Sequence, residues 1–161
     1  MHQNITKNLV MKDDIFIIAE VGVNHNGSLA LAMELIDIAS NAGADAVKFQ
    51  SFNAEELSTG HAEQANYQKI NTGKEEAQLN MLRRLELSQD DMHKIFKYCS
   101  KKKIEFMSSP FDINSFNFLN RIGMKKIKVP SGELTNKPLL VEIAKINKET
   151  YISTGMATLK E

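Results

Sequence analysis

The sequence predicts an α/β protein made of the first part of a parallel (β/α)8 TIM-type barrel, and three observations carry that prediction. Short apolar runs of strand length alternate with amphipathic stretches of helical period, as in repeated βα units. Several strands are continuous apolar runs, the pattern of a sheet covered on both faces. Neither phosphate-binding loop of the nucleotide folds is present. The first strand is followed by EVGVNHNG (20–27), which is not G-x-G-x-x-G, and no G-x-x-x-x-G-K-[ST] occurs. A doubly wound sheet opens with the same βα order, so the missing loops favour the barrel. About five strands and four to five helices are expected.

The first strand is the run at 15–19, ending on Glu20. Gly22, Asn24, Asn26 and Gly27 then crowd a few positions, a composition that turns the chain. Ser28 can cap a helix to Asn41 with Ala32, Leu35, Ile36 and Ala39 on its inner face, and Gly43 is its stop. Residues 46–50 form the second strand, and a polar stretch at 51–73 follows. Connections that long serve as functional loops or hold minor structure. Residues 75–85 are expected to be helical, with Leu79 and Leu82 inward. Ser88 and Asp91 resemble a capping box opening a helix to about Lys102. The lysines at 101–103 then complement the dipole of a last turn.

Residues 105–108 are the third strand, and Asp112 caps a helix carrying Phe116, Leu119 and Ile122 that closes at Gly123. Ile127 and Val129 flank Lys128 in the fourth strand, which Pro130 ends because it has no N–H to pair. Asn136 or Lys137 precedes Pro138 at a helix start, and the helix runs over 139–146. Residues 151–154 are the fifth strand, and Thr158 stands where another helix would begin. Residues 1–13 lack a pattern and read as a tail ahead of a domain at 14–161.

Composition removes several function classes. Lys plus Arg equals Asp plus Glu at 20 each, so no net field favours nucleic acid or an anionic membrane surface. No apolar run nears the ~20 residues of a membrane-spanning helix, and the N-terminus lacks the apolar stretch of a signal peptide. A single cysteine, Cys99, permits no internal disulfide and suits a reducing, cytoplasmic compartment. Its helical spacing with Ile95 and Phe96 marks a buried, unreactive thiol. His2, His25, His61 and His93 show no ligand spacing, so no metal site is expected from this chain, and His25 reads as a polar loop residue.

The C-terminal ends of the strands carry the chemistry, and in parallel α/β folds ligands bind at that edge. In order they offer Glu20, Asn24 and His25; Lys48 and Gln50; Ser108 and Ser109; Lys128, Ser131 and Glu133; and Ser153 with Thr154. Lys48 and Lys128 lie inside otherwise apolar strands, where an unpaired ammonium is costly. Either they pair internally with Glu20 and Glu133, or they hold a small polyanion bearing phosphate and carboxylate groups.

These same residues carry a resemblance. EVGVNHNG (20–27), AVKFQ (46–50), SPF (109–111), KVPSGE (128–133) and ISTGMA (152–157) resemble the N-terminal half of the N-acetylneuraminate (sialic acid) synthases. NYQKINTG (66–73), QLNML (78–82) and LELS (85–88) are similar to the bacterial branch. The resemblance implies condensation of phosphoenolpyruvate with N-acetylmannosamine, giving N-acetylneuraminate and phosphate. It implies Lys48 and Ser109 as contacts of the carboxylate, and Lys128, Ser131 and Ser153 as contacts of the phosphate. Glu20 and Glu133 match the active-site carboxylates, and Gln50 a residue near the sugar.

It further implies a divalent metal, Mn2+ or Mg2+, whose ligands lie outside this chain, and a homodimer when the enzyme is intact. The remaining strands and an antifreeze-like C-terminal domain are expected beyond these residues, so the chain alone is expected to be inactive. Related syntheses of legionaminate, pseudaminate or a spore-coat polysaccharide sugar remain open alternatives. So does a non-catalytic binding or assembly module.

Overall fold

Five parallel strands lie side by side in strict chain order, β1-β2-β3-β4-β5, in a computed structural model that describes residues 15–58 and 77–160. A doubly wound sheet reverses its strand order at a switch point. This one never reverses, which is the ordering of a barrel wall. The elements are β1 (Ile18–Gly22), α1 (Leu29–Asn41), β2 (Ala46–Ser51), α2 (Ala54–Leu57), α3 (Gln78–Leu85), α4 (Gln89–Lys102), β3 (Glu105–Pro110), α5 (Ile113–Ile122), β4 (Lys126–Val129), α6 (Lys137–Ala144) and β5 (Glu149–Ile152). A short 3-10 turn, Ser131–Glu133, follows β4.

The helix starts fall where capping chemistry places them. Ser28, Ser88, Asp112 and Asn136 each accept a hydrogen bond from the backbone N–H three residues on. Lys103 and Gly123 close α4 and α5 in the left-handed conformation. Lys102 pairs with Asp37 of α1 at 2.6 Å, so one lysine of the basic triplet also ties two helices together.

Period-two alternation sorts the sheet into two faces. Val47, Phe49, Phe106, Ile127 and Val129 point to the helices and form the main core with Ile36, Ile95, Phe116, Leu119 and Leu139. Cys99 lies in this core, and burial pushes its thiol up to about 12, which makes it inert. The alternate residues, Glu20, Lys48, Gln50, Met107, Ser109, Lys128 and Tyr151, share the opposite face, the interior side of a barrel wall. A smaller cluster of Phe52, Ala54, Leu79, Met81 and Leu82 packs α3 beside the loops that follow β1, β2 and β3.

Several boundaries differ from the sequence expectation. The first strand begins at Ile18 rather than residue 15, and Ile15, Phe16 and Ile17 are exposed at 56, 41 and 54 %. Of these three, Ile17 bonds with Asp45 and Ala46 of the neighbouring segment, so the run only approaches the sheet along its edge. The fourth crossover helix starts two residues early because Asn136 is the cap, and β5 is displaced likewise to Glu149–Ile152. The polar stretch at 51–73 holds the minor structure allowed for it: Ser51 ends β2, and a helical turn, α2, capped by Asn53 follows. The remainder of that stretch, the NYQKINTG motif, the first residues of the helix expected at 75–85 and the tail at 1–13 lie outside the described residues.

Candidate active site

The register of the sheet brings the strand-end residues together. Glu20 lies beside Lys48, and Gln50 beside Ser109. The pairing Ser108↔Ile127 makes Ser109 level with Lys128, which sits beside Tyr151, two residues before Ser153. One row therefore crosses four strands on the interior face: Glu20, Lys48 and Gln50, Ser109, Lys128.

Lys48 is buried at 9 % exposure and forms an ion pair with Glu20, whose side chain is 54 % exposed. The buried ammonium is compensated while the carboxylate stays accessible. Lys128 is half-buried and donates to the Val129 carbonyl at 2.8 Å and to the Ser153 hydroxyl. Burial is the main force lowering its pKa below the ordinary lysine value; the like charge of Lys48 adds to that, and Glu20 partly opposes it. Two cations thus share the mouth, and one of them is held short of full charge stabilisation.

The internal pairing of Lys128 with Glu133 does not form. Glu133 instead accepts from Asn136 Nδ2 at 2.6 Å, because the 3-10 turn after Pro130 carries it toward the start of α6. Ser131 is exposed in the same turn and faces the next loop, where a methyl added to Gly155 would lie 3.6 Å from Ser131 Oγ.

The adjacent serines of β3 have opposite situations. Ser108 faces the helix layer, where its hydroxyl bonds that of Ser51 at 2.8 Å. Ser109, only 1 % exposed, turns to the interior face, and its Oγ has no partner among the described residues. Alternation along β3 combined with the register to Lys128 is the signal that separates them; strand-end position alone does not.

His25 departs from its reading as a polar loop residue: it is 1 % exposed and stacks obliquely near Phe49, with ring centroids 6.1 Å apart. The tight turn after β1 folds it inward, which the local polarity of VNHNG conceals. Gly22 and Asn136, read from the sequence only as a turn former and a helix start, also bear on the site. Gly22 has φ +56 and lies against the ends of Glu20 and Gln50; Asn136 both caps α6 and holds Glu133.

The model of the NeuB family matches residues 35–161. The chain is 50 % identical to an N,N'-diacetyllegionaminic acid synthase of Campylobacter jejuni, covering 90 % of this chain and 43 % of that protein. It is 49 % identical to the Legionella pneumophila protein of the same name, over 91 % of this chain and 41 % of that protein. Among solved structures it is similar to the N-acetylneuraminic acid (sialic acid) synthetase of Leptospira borgpetersenii, with 33 % identity and a TM-score of 0.77 over 91 % of this chain and 46 % of that one. The chain spans about two fifths of the length of the curated relatives it matches.

Proposed function

The chain belongs to the NeuB family, and from that premise we propose that it carries the phosphoenolpyruvate-binding wall of a synthase of nine-carbon acidic sugars. One observation supports this reading above the others: two cations at the mouth of the sheet adjoin a buried hydroxyl that has no partner among the described residues. Lys128 is destabilised by burial and by Lys48, and Ser109 Oγ is unpaired among the described residues. An anion would relieve both. Phosphoenolpyruvate offers a carboxylate to Lys48 and Ser109 and a phosphate to Lys128, Ser131 and Ser153.

The acceptor in this proposal is an N-acetylated hexosamine. Two relatives at about half identity are N,N'-diacetyllegionaminic acid synthases, which favours an acceptor with two acetamido groups over N-acetylmannosamine. Gln50, in the row beside Glu20 and Ser109, is the amide offered to that sugar.

The enol carbon of phosphoenolpyruvate attacks the aldehyde carbon of the open-chain sugar, forming the C–C bond. Water then adds to the resulting oxocarbenium carbon, and phosphate leaves by C–O cleavage. Lys128 and the hydroxyls of Ser131 and Ser153 stabilise charge on the departing phosphate. Glu20, accessible beside Lys48, and Glu133, steadied by Asn136, are the two carboxylates that can orient the water or face the cationic carbon.

The divalent metal implied by the resemblance, Mn2+ or Mg2+, does not fit the described residues. No three of their His, Cys, Asp or Glu side chains gather where one ion could be held. We place its ligands outside the described residues. The remaining barrel strands, the C-terminal domain and a homodimer of the intact enzyme belong to the same proposal. No helix among the described residues is long and apolar enough to cross a membrane.

Calorimetric titration of the chain with phosphoenolpyruvate tests the reading. Wild type should bind, and Lys128→Met should not. Near-normal titration of Lys128→Met would sink the assignment.

A further inference from the structure

His25 is the one histidine of the turn after β1, and the proposed chemistry gives it no role. Its ring is buried, at 1 % exposure, with Phe49 alongside. Nδ1 accepts the Gly27 N–H at 3.1 Å. A nitrogen that accepts carries no proton, so the neutral ring holds its hydrogen on Nε2. Nε2 itself has no hydrogen-bond partner among the described residues.

The turn around this ring is tightly wound. Asn24 N–H donates to Val21 and Asn26 N–H to Val23, each at 3.0 Å, and Ser28 N–H donates to the His25 carbonyl at 2.8 Å. Gly22, Asn26 and Gly27 all take positive φ, at +56, +49 and +76. Gly27 is wedged against α3, since a Cβ there would lie 2.3 Å from the Arg84 carbonyl oxygen. Gly22 lies at the other end, where the β1–β2 register shifts between Glu20 and Gly22. A Cβ on Gly22 would lie 3.3 Å from Glu20 Oε1 and 3.7 Å from Gln50 Nε2, so the ends of those two side chains border the space that a side chain at 22 would fill.

We propose that His25 is a positioning residue, a neutral imidazole whose Nδ1 clamps Gly27 and so fixes the turn that backs Glu20 and Gln50. A floor set by that half-buried hydrogen bond holds the carboxylate against Lys48 and the amide toward the sugar side of the mouth. The ring's environment agrees with a neutral species: burial pushes its pKa below 6.5, and the Gly22 backbone only partly opposes that. This role rests on the reading of the mouth as a phosphoenolpyruvate site.

Two substitutions separate the acceptor from the rest of the ring. His25→Asn keeps an acceptor near the Nδ1 position, whereas His25→Gln carries its amide out to the Nε2 position and leaves the Gly27 N–H without a partner. In the full 161-residue chain, His25→Asn should bind phosphoenolpyruvate within about threefold of wild type. His25→Gln should bind about tenfold more weakly, the order of effect of losing one intramolecular hydrogen bond. Equal affinities for the two variants would overturn the proposal, as would the reverse order.

A ring 15N spectrum of wild type decides the tautomer without any ligand. It should show the Nε2–H form at neutral pH, and an Nδ1–H or charged ring would overturn the assignment. Wild type that fails to bind phosphoenolpyruvate would remove the reading of the mouth, while the tautomer measurement would still decide the clamp.

Discussion

Replacing Ser109 with Ala should do something unusual for a buried polar residue: it should stabilise the chain. Its hydroxyl is buried and unpaired among the described residues, and such a group costs about 1–3 kcal/mol by mutational measure. Removing the oxygen removes that cost and leaves a methyl in the same space, so a gain of about 1 kcal/mol is expected. Ser108 is the control. Its hydroxyl bonds Ser51 Oγ at 2.8 Å, and Ser51 is itself buried at 7 % exposure. Ser108→Ala leaves that partner stranded and should cost about 1–2 kcal/mol.

Adjacent, chemically identical substitutions therefore move stability in opposite directions. The gap of about 2–3 kcal/mol, the sum of the two effects, is wide enough to resolve by urea unfolding at constant slope. Phosphoenolpyruvate affinity should follow the other logic. Ser109→Ala forfeits a hydrogen bond to a carboxylate and should weaken binding about tenfold or more, while Ser108→Ala should leave it nearly unchanged. Equal destabilisation by both substitutions would refute the reasoning, because it would mean that Ser109 Oγ has a partner. So would a Ser109→Ala chain that is more stable yet binds as wild type does.

Three further outcomes follow from the geometry. Lys128 is held below the ordinary lysine value of 10.5, and a bound phosphate restores its preference for the proton. Binding should therefore take up a proton between the two values and weaken as pH rises through that window. Calorimetry in buffers of different ionisation enthalpy checks this, and proton release would contradict it. Gly27→Ala forces a side chain at φ +76 and a Cβ 2.3 Å from a backbone oxygen, which should cost roughly 2–5 kcal/mol; a loss under about 1 kcal/mol in urea would contradict the turn described. Burial keeps the His25 pKa below 6.5, so the unfolded chain takes up a proton that the folded chain resists. The stability this contributes is whole above about pH 6.5 and is lost as pH falls through the folded value. Wild type should thus lose more stability on acidification than His25→Asn, and parallel pH profiles would speak against it.

The strands and their helices were legible because local chemistry and tertiary packing agree here. Each of Ser28, Ser88 and Asp112 precedes an apolar period of 3.6, and each is found capping. The convergence of Lys48, Ser109 and Lys128 was legible for a related reason: polar residues in apolar strands stand out, and parallel strands present their ends at one edge. What the sequence could not convey was register and side-chain direction. Glu20 pairs with Lys48 because two strands align at those residues, whereas Glu133 leaves Lys128 for Asn136 because a 3-10 turn rotates it. The burial of His25 was hidden because a turn rich in Asn and Gly looks solvent-facing until its positive φ angles fold it back onto Phe49. The helical turn after Asn53 was masked by polar composition, although a capping Asn followed by Glu55 and Glu56 is an N-terminal signature.

The central claim is that one phosphoenolpyruvate molecule spans the two lysines, and a structure of the chain with that ligand bound tests it most directly. The phosphate should lie within hydrogen-bonding distance of Lys128 Nζ and the Ser153 hydroxyl, with the carboxylate on Lys48 and Ser109 Oγ. A ligand in the opposite orientation, or bound away from the row that runs from Glu20 to Lys128, would contradict the account.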